Sequence, residues 1–209
     1  MYHGEVLTLF LACALAQPVP VEGVAALVNG VPILTSDLEL AETASIVPRR
    51  AEETDAGYRA TVTDALINLQ LRWQDLAAAA VAERTPFDMD RAWTAVVARA
   101  GGEGTLHRRL AAIGLDETPL RELVRRAAIV QAYVASRFQP FVRPAAGEVD
   151  DLWQRELAPA LRAQGKPVPP LADVRAQVET LLRERKLDAE LQRWTDELAA
   201  KAEVVRYPK

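Results

Sequence analysis

The residues that could do covalent or metal chemistry are few and badly spaced for it. Cys13 is the single cysteine, and His3 and His107 are the two histidines. Only His107 falls in the body of the chain, so no Cys/His pair, His cluster or disulfide framework can form there. That removes most nucleophilic and metal-ligand constellations. Gly101-Gly102-Glu103-Gly104 is the glycine-dense stretch. No strand-like run precedes it and no Lys-Ser/Thr follows, so it is not a phosphate loop. Arg121, Arg125 and Arg126 fall largely off the apolar stripe of one helical segment and read as a solvated face, with no motif supporting an anion site. The expectation is no catalytic residue, no metal and no cofactor.

Of the 209 residues, 50% are apolar and 26% charged, ordinary values for a soluble globular chain long enough for one sizeable core or two small ones. A formal net charge of −4 argues against a dedicated nucleic-acid binder. Residues 6–16 form a short apolar run ending Ala14-Leu15-Ala16 before Gln17-Pro18. This has the form of a secretory signal peptide over 1–16, cleaved before Gln17 and implying export. The run is too short for a bilayer, which needs about 20 residues, so no stable membrane span is expected. Its start carries Glu5 and His3 in place of Lys or Arg. Phe10-Leu11-Ala12-Cys13 is a faint lipoprotein box, and anchoring through Cys13 is not expected.

The elements that must position any site follow from patterning. Residues 24–28 are an apolar run of strand length, and Asn29-Gly30 suits a type I′ hairpin turn. Val31, Ile33 and Leu34 form the return strand, which Pro32 confines to a sheet edge. Ser36 and Glu39 have capping-box spacing for a helix over 36–47. A hairpin alone is marginal in water. The other strand-like run, 203–207, is therefore expected to pair with it through Val204 and Val205, bringing the chain ends together.

Between them the pattern is helical. A long helix is expected over 55–84, stopped by Thr85-Pro86. Asp88 caps a short helix. Another spans 105–113 and ends at Gly114. The next starts at Thr118-Pro119, with Pro in first position, and runs to about 141. Its core stripe is Leu120, Leu123, Val124, Ala127, Val130, Val134, Phe138 and Phe141. A helix over 148–162 precedes a stiff proline-rich linker, 159–170. A final helix over 171–202 repeats Leu171, Val174, Val178, Leu181, Leu182, Leu191, Trp194 and Leu198 at helical spacing. Its Leu181, Leu191 and Trp194 are expected to pack on the N-terminal helices, leaving 183–186 as a wet face.

Several of these stretches resemble one family. Val24-Ala-Ala-Leu-Val-Asn-Gly-Val-Pro-Ile-Leu-Thr-Ser-Asp-Leu-Glu39 is similar to the opening of SurA-type periplasmic chaperones. Residues 65–70, Gly104-Thr105-Leu106 with Arg109-Leu110 and Gly114-Leu115, the exit at Arg143 and Glu148-Val149, and Ala202-Glu-Val-Val205 follow the family's order. The likeness covers about 23–207. Such chaperones usually carry a parvulin prolyl-isomerase domain of about 100 residues before the final helix. Here only 159–170 occupies that place, without a parvulin-like cluster. The resemblance therefore implies a mainly α fold: a helical chaperone core with a small β-hairpin paired to a C-terminal strand. It forms a single unit over 17–209, with an N-terminal part 17–158, the linker, and a C-terminal helix and strand 171–209.

The function implied is a periplasmic, non-enzymatic chaperone holding unfolded or extended polypeptides, above all outer-membrane clients, in an adaptable apolar groove. Phe87, Met89, Trp93, Tyr133 and Trp153 are the large side chains that could line it, with ordinary core packing the competing role for each. The alternatives are an isomerase-related protein with residual activity and a non-catalytic envelope assembly scaffold.

Overall fold

The protein is described here from a computed structural model covering residues 22–207. Strands β1 (Val24–Val28) and β2 (Val31–Leu34) form an antiparallel hairpin. Its turn residues Asn29 and Gly30 have φ of 51° and 77°, the left-handed pair a type I′ turn requires. The third strand, β3 (Val204–Arg206), pairs with the other side of β1, giving the order β2-β1-β3. Val204 faces Val28 and Val205 faces Leu27. Pro32 thus sits on an edge strand, where its missing N–H costs no ladder bond. Ala26 and Val28 of the central strand are buried against Val62, Leu66 and Ile67.

Helix α1 (Thr35–Thr43) leaves β2 without a linker. Its cap is not the expected Ser36/Glu39 box. Leu34 takes the cap position, and its N–H donates to the Asp37 carboxylate at 2.8 Å. The helix starts one residue early because β2 runs straight into it. It ends four residues before the expected 47, with Ser45 at φ 51°.

The central helix, α2 (Asp55–Ala78), is capped by Thr54 and ends well before Thr85-Pro86. Ala80 adopts φ 50°, and the Val81 N–H closes onto the Leu76 carbonyl at 2.8 Å. This Schellman-type closure tucks Val81 and Ala82 onto Leu76, a contact that a straight helix does not make.

Helix α3 (Met89–Arg99) begins at the expected Asp88 cap, and α4 (Glu103–Ala112) ends near Gly114 at φ 71°. Helix α5 (Glu117–Arg137) is capped by Asp116, which leaves Pro119 in the third position, not the first. It stops at Arg137, and a single 3₁₀ turn, Gln139–Phe141, follows. Phe141, expected in the core stripe, is 75% exposed. Pro140 accounts for this: it has no N–H to donate to the Ser136 carbonyl, so the α-helix gives way to the 3₁₀ turn and the chain leaves the core stripe.

Helix α6 (Glu148–Leu152) passes through a π turn, Trp153–Leu157, into α7 (Ala158–Ala163). The expected linker therefore shortens to 164–170, and Pro159 lies inside a helix. The last helix, α8 (Leu171–Ala199), has 29 residues, about 43 Å at the helical rise.

Its two halves bury opposite faces. Val178, with Val174 and Leu182, packs on Val149, Leu152 and Trp153. Leu187, Leu191 and Trp194 pack instead on Leu76, Ile129, Val130 and Val134. Val178 and Trp194 are about 160° apart around the axis. The helix thus joins a small lobe, α6–α7, on one side to the main α2–α5 body on the other. Leu181 belongs with the small lobe, contrary to the sequence expectation. Residues 183–186 are not simply wet. Lys186 pairs with Glu148 at 2.6 Å and Arg185 with Glu156 at 2.6 Å, tying α8 to the lobe.

The signal peptide expected over 1–16, the cleavage before Gln17 and any anchoring at Cys13 lie outside the described residues. Among the described residues, no helix is long and apolar enough to cross a membrane.

Candidate functional site

The five large side chains singled out in the sequence do not converge. Phe87 is 37% exposed, on the connector ahead of α3. Met89 and Trp93 pack partly buried against the core of α3, α4 and α5. The Arg121 guanidinium lies 3.9 Å from the Trp93 ring centre, so that face is covered. Tyr133 stacks with Phe138 and Trp194 at centroid distances of 6.3 and 5.6 Å, an aromatic knot holding α5 to α8. Four of the five therefore line no shared groove.

Trp153 is the exception. It opens the π turn, where the Ala158 N–H bonds the Trp153 carbonyl in place of the ordinary helical acceptor. Pro159 supplies the physical cause. It has no N–H for the Arg155 carbonyl, and its ring needs room in the preceding turn. The widened turn places Trp153 and Leu157 along one side of a groove facing α8. Leu161 from α7 and Val174 and Leu181 from α8 complete it, around a volume of about 340 Å³. Trp153 is buried at its base, whereas Leu157, Leu161, Val174 and Leu181 stay half-buried along the walls. Gln164 and Gln177 are the polar side chains at its margin.

Leu161 falls where the expected helix 148–162 and the expected linker 159–170 overlap, and the core role expected of Leu181 conceals the opposite wall. The signal that could have found the groove is the spacing of Leu157 and Leu161, four apart on either side of Pro159.

Larger concavities mix apolar lining with charged side chains. A cleft of about 710 Å³ is walled by Arg143, Glu179, Arg183 and Glu184. Another, of about 510 Å³, lies among Glu42, Arg49, Arg59 and Arg109. In the second, burial pushes the Glu42 carboxyl above its usual range, and its Oε1 has no hydrogen-bond partner. Burial likewise raises Asp37, against the lowering effect of the Leu34 N–H.

The arginine row of α5 does more than face solvent. Arg125 donates to Glu122 through Nε and Nη2 at 2.7 and 2.9 Å, and Arg126 Nε does so at 2.8 Å. These bonds hold Glu122 down at about 2. Arg125 and Arg126 also lie over Trp73 at 5.1 and 5.6 Å. The row is a set of covers on Trp73 and Trp93.

Among the described residues, no group of His, Cys, Asp and Glu is placed to hold a metal ion. No protein-family model matches the chain, and its sequence matches no curated protein.

Proposed function

We propose that this protein is an exported, non-catalytic chaperone of the SurA type, which holds unfolded polypeptide segments in the groove between α7 and α8. The observation that carries the reading is the apolar lining of that groove, with half-buried aliphatic walls over a buried tryptophan. An unfolded client presents apolar side chains in many sequences, so its holder needs apolar area and few fixed polar partners. The larger clefts carry Arg and Glu side chains in their walls and meet that requirement less well, and volume alone does not decide the matter. The element order also supports the reading: a hairpin at one end, a paired strand at the other and helices between, as the resemblance implies.

The test is suppression of aggregation. Dilute a denatured outer-membrane β-barrel protein, and separately an unrelated unfolded protein, into buffer with this chain, and follow light scattering. The wild type is expected to suppress both. Leu157→Asp and Leu181→Asp, checked for native circular dichroism, are expected to suppress at most about half as well, since each adds a charge to an apolar contact. Full suppression by folded groove variants would overturn the reading. Absence of any acceleration in a proline-limited refolding assay is expected alongside, and a concentration-dependent acceleration would sink the non-catalytic part.

A further inference from the structure

The corner between α5 and α6 crosses α8 at its waist and leaves an aromatic ring in water. Phe141 is 75% exposed, while Val142 beside it is buried and Phe138 is half-buried in the aromatic knot. Phe141 rises over a cleft of about 480 Å³ whose far wall is Lys186, Ala189, Glu190 and Arg193 of α8. The cleft is basic. Lys186 is neutralised by Glu148, and Arg193 by Glu190. Arg137 and Arg143 make no ion pair among the described residues. Arg137 sits in the last turn of α5, where the helix dipole favours a cation, and its guanidinium lies 5.9 Å from the Phe141 ring centre. Arg143 is exposed; its backbone N–H donates to the Phe141 carbonyl at 3.1 Å and its carbonyl accepts from Lys186 at 3.3 Å, while its guanidinium makes no hydrogen bond among the described residues.

We infer that this cleft is a second docking site, for an extended peptide segment carrying an Asp or Glu side chain next to an aromatic residue. The aromatic side chain stacks on Phe141, and the carboxylate meets Arg143 and Arg137. Charge complementarity chooses the occupant. Two unpaired guanidinium groups flank one exposed ring, in a chain whose net charge is −4. Arginine presents a fork that matches a carboxylate in two hydrogen bonds. An anionic membrane surface fits less well. It calls for about 4–8 clustered basic residues, and here Glu179, Glu184 and Glu190 lie around the same corner. The site is separate from the α7–α8 groove, and its residues are not part of the proposed holdase contact.

Binding of a labelled peptide, acetylated and amidated so that its only carboxylate is a side chain, tests this on the full chain. The peptide carries one Asp-Phe pair in a Ser/Gly background, and fluorescence anisotropy is the readout. Measurable binding is expected. It should weaken at least about tenfold when the peptide's Asp becomes Asn or its Phe becomes Ala. The same loss is expected on Phe141→Ser and on Arg143→Gln, both exposed positions whose folding is checked by melting temperature. Leu181→Asp, which impairs the groove, should leave this binding unchanged, so failure here and failure of the holdase reading are distinguishable. Binding indifferent to Phe141→Ser and Arg143→Gln would overturn the assignment. So would equal binding of the Asn peptide, no binding at millimolar peptide, or binding only to vesicles containing anionic lipid.

Discussion

Asn29 and Glu203 hold each other from opposite ends of the chain. The Asn29 backbone N–H donates to the Glu203 carbonyl at 2.8 Å, and the Glu203 N–H donates to Asn29 Oδ1 at 2.9 Å. The Asn29 amide also donates to Gln74 Oε1 at 2.8 Å, and Gln74 donates to the Val28 carbonyl at 3.0 Å. One turn residue thus joins the hairpin, the C-terminal strand and α2. Two substitutions separate its roles. Asn29→Gly keeps the left-handed backbone and loses the side-chain bonds, at an expected cost of about 1–2 kcal/mol. Asn29→Ala adds the strain of a left-handed residue, roughly 1 kcal/mol more. Urea unfolding of the three proteins gives the order directly. Equal midpoints for Asn29→Gly and wild type would mean the side-chain bonds contribute nothing.

The opposed faces of α8 predict a split response. Trp194→Ala removes the ring that locks α5 to α8 and is expected to lower global stability by about 2–4 kcal/mol. Val178→Asp buries a charge in the small lobe and is expected to loosen α6–α7 while leaving the main body protected. Hydrogen exchange read by mass spectrometry distinguishes the two. Uniform loss of protection in both variants would show that the lobe and body unfold as one.

Deleting 171–209 is expected to abolish cooperative melting. It removes β3 from beside β1 and uncovers Leu76, Ile129 and Val130, which α8 covers. A three-stranded sheet reduced to a hairpin is marginal, and each large apolar side chain left uncovered forfeits about 1.5–3 kcal/mol. A monomeric fragment melting near the full-length temperature would refute this.

Acid stability has a signature at Glu122. Its folded pKa of about 2 lies below the ordinary glutamate value, because Arg125 and Arg126 donate to the charged form. The group therefore stabilises the fold above the unfolded value, and the contribution is lost as pH falls from about 4.5 to about 2. The pair is partly exposed, so the effect is small and screened by salt. Glu122→Gln should flatten that limb of the stability profile and leave Trp73 more accessible to an aqueous quencher. An unchanged limb would place the acid sensitivity elsewhere.

Glu42 carries the opposite sign. Burial raises its pKa, so the folded state binds its proton more tightly than the unfolded chain does. Its contribution is favourable at low pH and declines as pH rises through the raised value. Glu42→Gln removes the charge whose Oε1 is buried without a partner, and should melt no lower than wild type at pH 7. A clear drop would show that the pairing with Arg59, at 3.6 Å, outweighs desolvation.

The sequence alone determined the parts of this protein that depend on neighbours along the chain. Asn29-Gly30 dictated its turn through backbone sterics, and Pro32 dictated an edge through its missing donor. Asp88 dictated a helix start through its carboxylate, and the sparse cysteine and histidine limited the chemistry on offer. Even the pairing of β3 was legible, because a two-stranded ribbon needs a third strand.

Tertiary structure decided what periodicity does not encode. The stripe of α8 reads as one run of apolar residues, yet its two halves face opposite ways. The α6–α7 lobe and the α2–α5 body approach from different sides, and only the path of the chain between them sets that. Phe141 has the spacing of a core residue and stands in water, because Pro140 ends the helix before the spacing can act. Leu161 lies where the expected helix and linker overlap, and packing settles it as helix: Pro159 is absorbed by a widened π turn, and the helix continues beyond it. The groove exists because that turn and Leu181 of α8 meet across space. A contact between residues more than twenty positions apart follows from packing, not from any local pattern.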